Sequence, residues 1–170
     1  AAEFGLPIAP GTLRNLKKCP IGDRNWTDES RELFIRLLAS GPALLNVWED
    51  IDFIDVPGKL IPEWLGVRNR PSASAAHRYT IDRHMVEVVT RLGRETPSGG
   101  RYDDRHYEAL LLAGILHDIG KRPGGGQPCG GRRSACDRGS WNAWGFDRDI
   151  VRWVTLLVRE HLTLSEFATG

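Results

Sequence analysis

Near the end of the apolar run 109–119 the chain sets a histidine beside an aspartate, His117 and Asp118, with Lys121 three residues on. A run of this composition belongs in a core, and a core does not take up an unpaired imidazole and carboxylate cheaply. Such groups need a partner or a metal, and the simplest partner is a divalent cation. Ligation by nitrogen and oxygen requires imidazoles and carboxylates from separate elements to converge on one point. His84 is the third donor, because it lies three residues after Ile81 and four before Val88 and so faces inward on another helix. Adjacent helical residues diverge by about 100°, so an ion shared by His117 and Asp118 sits beside their helix while the neighbouring one supplies His84. Lys121 just past the helix end has two roles open to it, a phosphate contact or a cation complementing the helix C-terminus. His161 continues the apolar stripe of the last helix, four residues after Leu157.

The elements that must position these groups are helices. Thr27 is an N-cap for a helix whose stripe is Leu33, Phe34, Leu37 and Leu38, stopped by Ser40-Gly41-Pro42. A second helix over 43–53 turns Leu44, Leu45, Trp48 and Ile51 inward and is broken by Pro57-Gly58. A turn or short helix over 61–67 carries Trp64 into the core. From Thr80, Ile81, Met85, Val88, Val89 and Leu92 recur at three- and four-residue spacing, and Gly93 closes the helix. The next helix runs over 103–119, capped by Asp103 or Asp104 and ended by Gly120 and Pro123. The last, over 147–162, buries Ile150, Val154, Leu157 and Val158. No alternating segment of useful length is present, so the fold class is all-α. Residues 1–26, with Pro7, Pro10 and Pro20, read as an irregular arm from a preceding domain, and 27–170 as the domain itself.

At 170 residues the chain suits one domain. Lys and Arg total 23 against 22 Asp and Glu, a formal charge of +1, so bulk electrostatics argues for neither a nucleic-acid nor a membrane partner. No apolar run is long enough to span a bilayer and no leader precedes the first element, which leads to the expectation of a cytoplasmic protein. Cys19, Cys129 and Cys136 have no zinc-ligand spacing and read as free thiols. The chain opens at Ala1, and its one methionine is Met85, so a piece of a longer polypeptide is expected. Residues 123–144 stand apart: six Gly, three Arg, two Cys and two Trp in 22 residues, with no Leu, Ile, Val, Met, Phe or Glu. No regular core element can be built from that, so this atypical segment is expected to be exposed or poorly ordered, with no helix beyond about two turns.

His84, His117 and Asp118 match the H…HD pattern, and the chain resembles the HD superfamily of metal-dependent phosphohydrolases. The likeness narrows through HRYTIDRH (77–84), LLLAGILHDIGK (110–121), RELFIRLLASGPALLNVWEDID (31–52), LIPEW (60–64) and VREHLTLSEFAT (158–169). Together these resemble the HD domain of the bacterial bifunctional PII uridylyltransferase/uridylyl-removing enzymes. The resemblance implies an HD-domain helical bundle placed between a nucleotidyltransferase domain and ACT domains outside this chain. It implies removal of UMP, or of AMP, from a modified tyrosine of the nitrogen-signalling protein PII. It also implies a divalent metal, Mg or Mn with Fe as an alternative, held by His84, His117 and Asp118, with His117, Asp118 and Lys121 in catalysis. His77, Lys121 and His161 are then phosphate contacts or supports behind the ligands.

Two departures qualify the match. After HDIGK the family continues with a Gly-Asp-His-Ser-like segment that 123–144 replaces, as reading a GC-rich gene in a shifted frame would give. The family's later aspartate also follows the region of Ala168-Thr169, where this chain stops at Gly170. The domain is therefore expected to be incomplete at its C-terminus and inactive or weakly active alone. Two alternatives stand beside this reading: another HD enzyme acting on a free nucleotide or cyclic dinucleotide, or a non-catalytic helical relic that transmits a signal.

Overall fold

A computed structural model describes residues 1–20, 26–71, 79–94, 103–121 and 144–161. Among them the chain is all-α: α1 (Pro10–Lys18), α2 (Asp28–Leu38), α3 (Ala43–Phe53), α4 (Val56–Leu60), α5 (Ile81–Leu92), α6 (Asp104–Leu116) and α7 (Arg148–Glu160), with 3-10 turns at Ala2–Phe4 and Pro62–Gly66. The sole β-type pairing among the described residues is an isolated bridge, Pro71 with Thr80.

The fold is built around α6. Tyr107, Ala109 and every residue from Leu111 to Leu116 are buried, as expected of a helix apolar on all sides. Helices α2, α5 and α7 pack against it, and α3 packs on α5. Helices α6 and α7 run parallel, since Arg105 at the start of one reaches Asp147 at the start of the other at 2.6 Å, while Asp118 and His161 meet beyond their other ends. Their N-caps, Asp103 and Asp147, accept the backbone N–H groups of His106 and Asp149. Thr27 caps α2 by accepting from Ser30. Buried Asp82, in the first turn of α5, accepts the N–H of Asn69 at 2.7 Å and so fastens the preceding loop to the helix that carries His84.

Several expectations change. Part of the supposed irregular arm forms α1, which starts on Pro10, a residue with its φ already set for a helix, and leans Leu13 and Leu16 on the core. The break after α3 comes from Asp55 in the left-handed region (φ 67°), whereas Pro57-Gly58 lie inside α4. Leu33 and Leu157 point outward at 53 % and 39 % exposure, and Val47 and Val86 are buried in addition to the expected stripes. In each case the neighbouring helix sits one residue round from the face that spacing alone selects. The isolated Trp144 is buried, stacked on Trp26 at 4.7 Å and edge-on to Phe34 at 5.3 Å. The expectation of exposure therefore fails at that residue. The rest of the atypical segment, 123–143, lies outside the described residues, as do His77, Cys129, Cys136 and everything from Leu162 onward.

Gly93 ends α5 with an ordinary right-handed conformation, so its role is proximity rather than a positive φ. A Cβ there would stand 2.7 Å from the backbone N of Gly41, and neither backbone can yield without moving its helix. Gly93→Ala is expected to cost about 1–3 kcal/mol, read as a lower midpoint in thermal denaturation. An unchanged midpoint would mean the two turns are free to part.

Candidate metal centre

The site is assembled where α6 and α7 end and α5 begins. His117 and His161 are the C-caps of α6 and α7, and His84 lies in the first turn of α5. Helix α6 ends three residues short of Ile119. The chain then tightens, with Ile119 N–H donating to Leu116 and Lys121 N–H to Asp118, so that His117 and Asp118 occupy a turn rather than the helix proper. That turn lets two adjacent side chains face the same space. One ligating atom each from His84, His117 and Asp118 fall within 4.8 Å of one another. The His84 and His117 rings stand edge to face at 5.1 Å, as do the His117 and His161 rings.

Both cap histidines are oriented by the same local device. Nδ1 of His117 donates to the Gly114 carbonyl at 2.8 Å, and Nδ1 of His161 donates to that of Val158 at 2.6 Å. Each ring is thereby fixed so that, when neutral, Nε2 carries a lone pair. His117 Nε2 lies 3.6 Å from Asp118 Oδ2, and His161 Nε2 lies 3.4 Å from Asp118 Oδ1. Among the described residues, Asp118 Oδ1 and His161 Nε2 are both buried with no hydrogen-bond partner. Burial lowers the pKa of His117 to about 4, against the opposing influence of Asp118 and of the Gly114 bond, so this ring is neutral at neutral pH. Burial acts to raise Asp118, but His161, His117 and Lys121 outweigh it and hold the carboxyl well below the ordinary range. The Asp118 side chain is only 2 % exposed, and the ammonium of Lys121 lies 2.7 Å from its Oδ2.

Acceptor thus faces acceptor in a buried space, an arrangement that only a shared proton or a cation makes favourable. Two helix C-termini, each with partial negative charge, converge on the same space and add to that preference. The donor set, two imidazoles and a carboxylate with a third imidazole adjacent, suits a divalent transition ion or magnesium.

Of the residues singled out from sequence, the fold brings together His84, His117, Asp118, Lys121 and His161, and His77 lies outside the described residues. Two orienting groups were not legible in advance, the carbonyls of Gly114 and Val158. The only signal for them is that each lies three residues before a histidine at a helix end. Gly114 also sets the spacing of the two ligand-bearing helices, because a Cβ there would stand 3.0 Å from Leu92 Cδ1 and Val89 Cγ2 on α5.

No protein-family model matches the chain, and no solved structure matches it significantly. Curated sequences do. The chain is 36 % identical over 171 residues to the bifunctional uridylyltransferase/uridylyl-removing enzyme of Streptomyces coelicolor, covering 99 % of this chain and 20 % of that protein. It is 32 % identical over 173 residues to the enzyme of the same name from Mycobacterium tuberculosis, with the same coverages. It is 35 % identical over 147 residues to that of Caulobacter vibrioides, covering 79 % of this chain and 15 % of the relative. The chain spans about a fifth or less of the length of these relatives. Over nearly its whole length, the sequence carrying this cluster of histidines and aspartate is therefore similar to one segment of the bifunctional uridylyltransferase/uridylyl-removing enzymes.

Proposed function

We propose that this segment is the metal-dependent phosphodiesterase part of its enzyme, an HD domain that removes UMP or AMP from a modified tyrosine of the PII protein. The observation that carries the proposal is the buried meeting of Asp118 with Nε2 of His117 and of His161, beside His84. His84, His117 and Asp118 would hold the ion, with Mg or Mn favoured by the oxygen and imidazole donors and Fe as an alternative. Such an ion supplies Lewis-acid polarisation of a phosphoryl oxygen and acidifies water. The chain's own residues keep the donors deprotonated and aimed: the Gly114 and Val158 carbonyls orient two rings, and burial keeps His117 neutral. His161 lines the same space, its Nε2 3.4 Å from Asp118 Oδ1, and His77 and Lys121 stand as candidates for contact with the phosphate. In the reaction, water adds to phosphorus, the bond from phosphorus to the tyrosine oxygen breaks, and that oxygen takes up a proton. The products are PII with its tyrosine hydroxyl restored and the mononucleotide. PII, together with the nucleotidyltransferase and ACT domains of the same polypeptide, completes the proposed partners, with nucleic acid and membrane surfaces playing no part.

The first test is metal content. Equilibrium dialysis of the chain against Mn2+ is expected to show saturable binding that Asp118→Ala and His84→Ala remove. Binding equal in the wild-type chain and both variants would leave a helical module with no metal chemistry.

A further inference from the structure

In the structure Asp118 already has a cation. The ammonium of Lys121 lies 2.7 Å from Oδ2, the same oxygen that faces His117 Nε2 at 3.6 Å. The pair is not a chance surface contact. Asp118 is almost wholly buried, and the turn that follows α6 holds Lys121 in place through its own backbone N–H, which donates to the Asp118 carbonyl at 3.0 Å. Lys121 itself is 28 % exposed, so its head lies at the rim of the cluster with solvent within reach. A lysine stem of this kind can swing its charge outward without exposing apolar core.

We propose that Lys121 is a built-in counter-ion that occupies the metal's electrostatic place when the centre is empty and is expelled when an ion binds. The inference rests on the metal-site reading given above. A carboxylate as deeply buried as Asp118, with no cation against it, would stand uncompensated, which strongly destabilises a fold. Lys121 removes that penalty in the metal-free chain. The same positive charge opposes a divalent cation on the same carboxylate, so metal binding must break the Lys121–Asp118 pair. The centre is thereby folded before it is loaded, at the expense of affinity, and loading releases an ammonium at its mouth.

The experiment is calorimetric titration of the 170-residue chain with Mn2+ for the wild type, Lys121→Gln and Lys121→Arg, with thermal denaturation of each in EDTA. Loss of a hydrogen bond to a charged partner is worth roughly tenfold. Lys121→Gln is expected to bind Mn2+ about tenfold more tightly and to melt lower than wild type in EDTA, while Lys121→Arg, which keeps the charge, stays near wild type in both. Unchanged or weaker binding by Lys121→Gln overturns the proposal, because a lysine that supports the bound state would show that sign. A readout free of substitutions is acetylation of Lys121 in the wild-type chain, followed by mass spectrometry: Mn2+ is expected to increase it, and no change or a decrease overturns the proposal. A wild-type chain that binds no Mn2+ removes the metal-site reading itself, whereas binding without the Lys121 effect removes only the counter-ion.

Discussion

Replacing His117 and Asp118 with alanine in the full-length enzyme is expected to abolish release of the nucleotide from modified PII while its attachment continues. The loss should be large because both changes strike one donor cluster: His84, His117 and Asp118 meet within 4.8 Å, and removing two of the three leaves no chelating set. Several kcal/mol of transition-state stabilisation depend on a catalytic ion, which amounts to on the order of a thousandfold in rate. Attachment is spared because the relatives are about five times the length of this chain, leaving room for a separate transferase. Measuring labelled UMP released from PII, beside label incorporated into PII, checks both halves. Equal loss of the two activities would make this segment a structural support for its neighbours.

The second large effect lies far from the chemistry. Trp144→Ala is expected to destabilise the fold by about 3–5 kcal/mol, the range for removing a buried aromatic side chain. Trp144 is 2 % exposed, stacks on Trp26 and meets Phe34 edge-on. Its carbonyl accepts from Arg31, whose same Nη1 also donates to the Trp26 carbonyl. At roughly 2–4 °C per kcal/mol for a chain of this size, the thermal midpoint should fall by about 10 °C. Phe4→Ala, at a site 75 % exposed, is the control and should change little. A midpoint for Trp144→Ala near that of the control would show that the aromatic cluster contributes nothing to the fold.

Much of this architecture is written in the spacing of apolar residues. Helices α2 and α5 start and stop, and α7 starts, within two residues of where caps and glycines place them, because those signals act locally. The inward faces of His84 and of the His117–Asp118 pair follow from the same periodicity. What spacing could not reveal depends on partners far away in the chain. Leu33 and Leu157 satisfy the helical stripe yet face outward, since the position of the adjoining helix decides which edge of a broad apolar face is covered. Trp144 lies in a segment with no pattern and is buried through Trp26 and Phe34, more than a hundred residues earlier. The Lys121–Asp118 pair was hidden by a change of geometry, because the chain leaves the helix at His117 and the i,i+3 neighbours meet through a turn.

Gly114 links two requirements that selection would otherwise adjust separately. Its missing side chain lets Leu92 and Val89 approach, and its carbonyl sets the tautomer of His117. Any heritable change at this codon that adds a side chain presses on the helix bearing one ligand and tilts the acceptor that aims another. The mutational path toward a better-packed interface is thus also a path away from a correctly aimed imidazole. Lineages that lose the chemistry are released from that conflict. A relic of this domain should therefore accumulate larger residues at position 114 before its histidines themselves disappear.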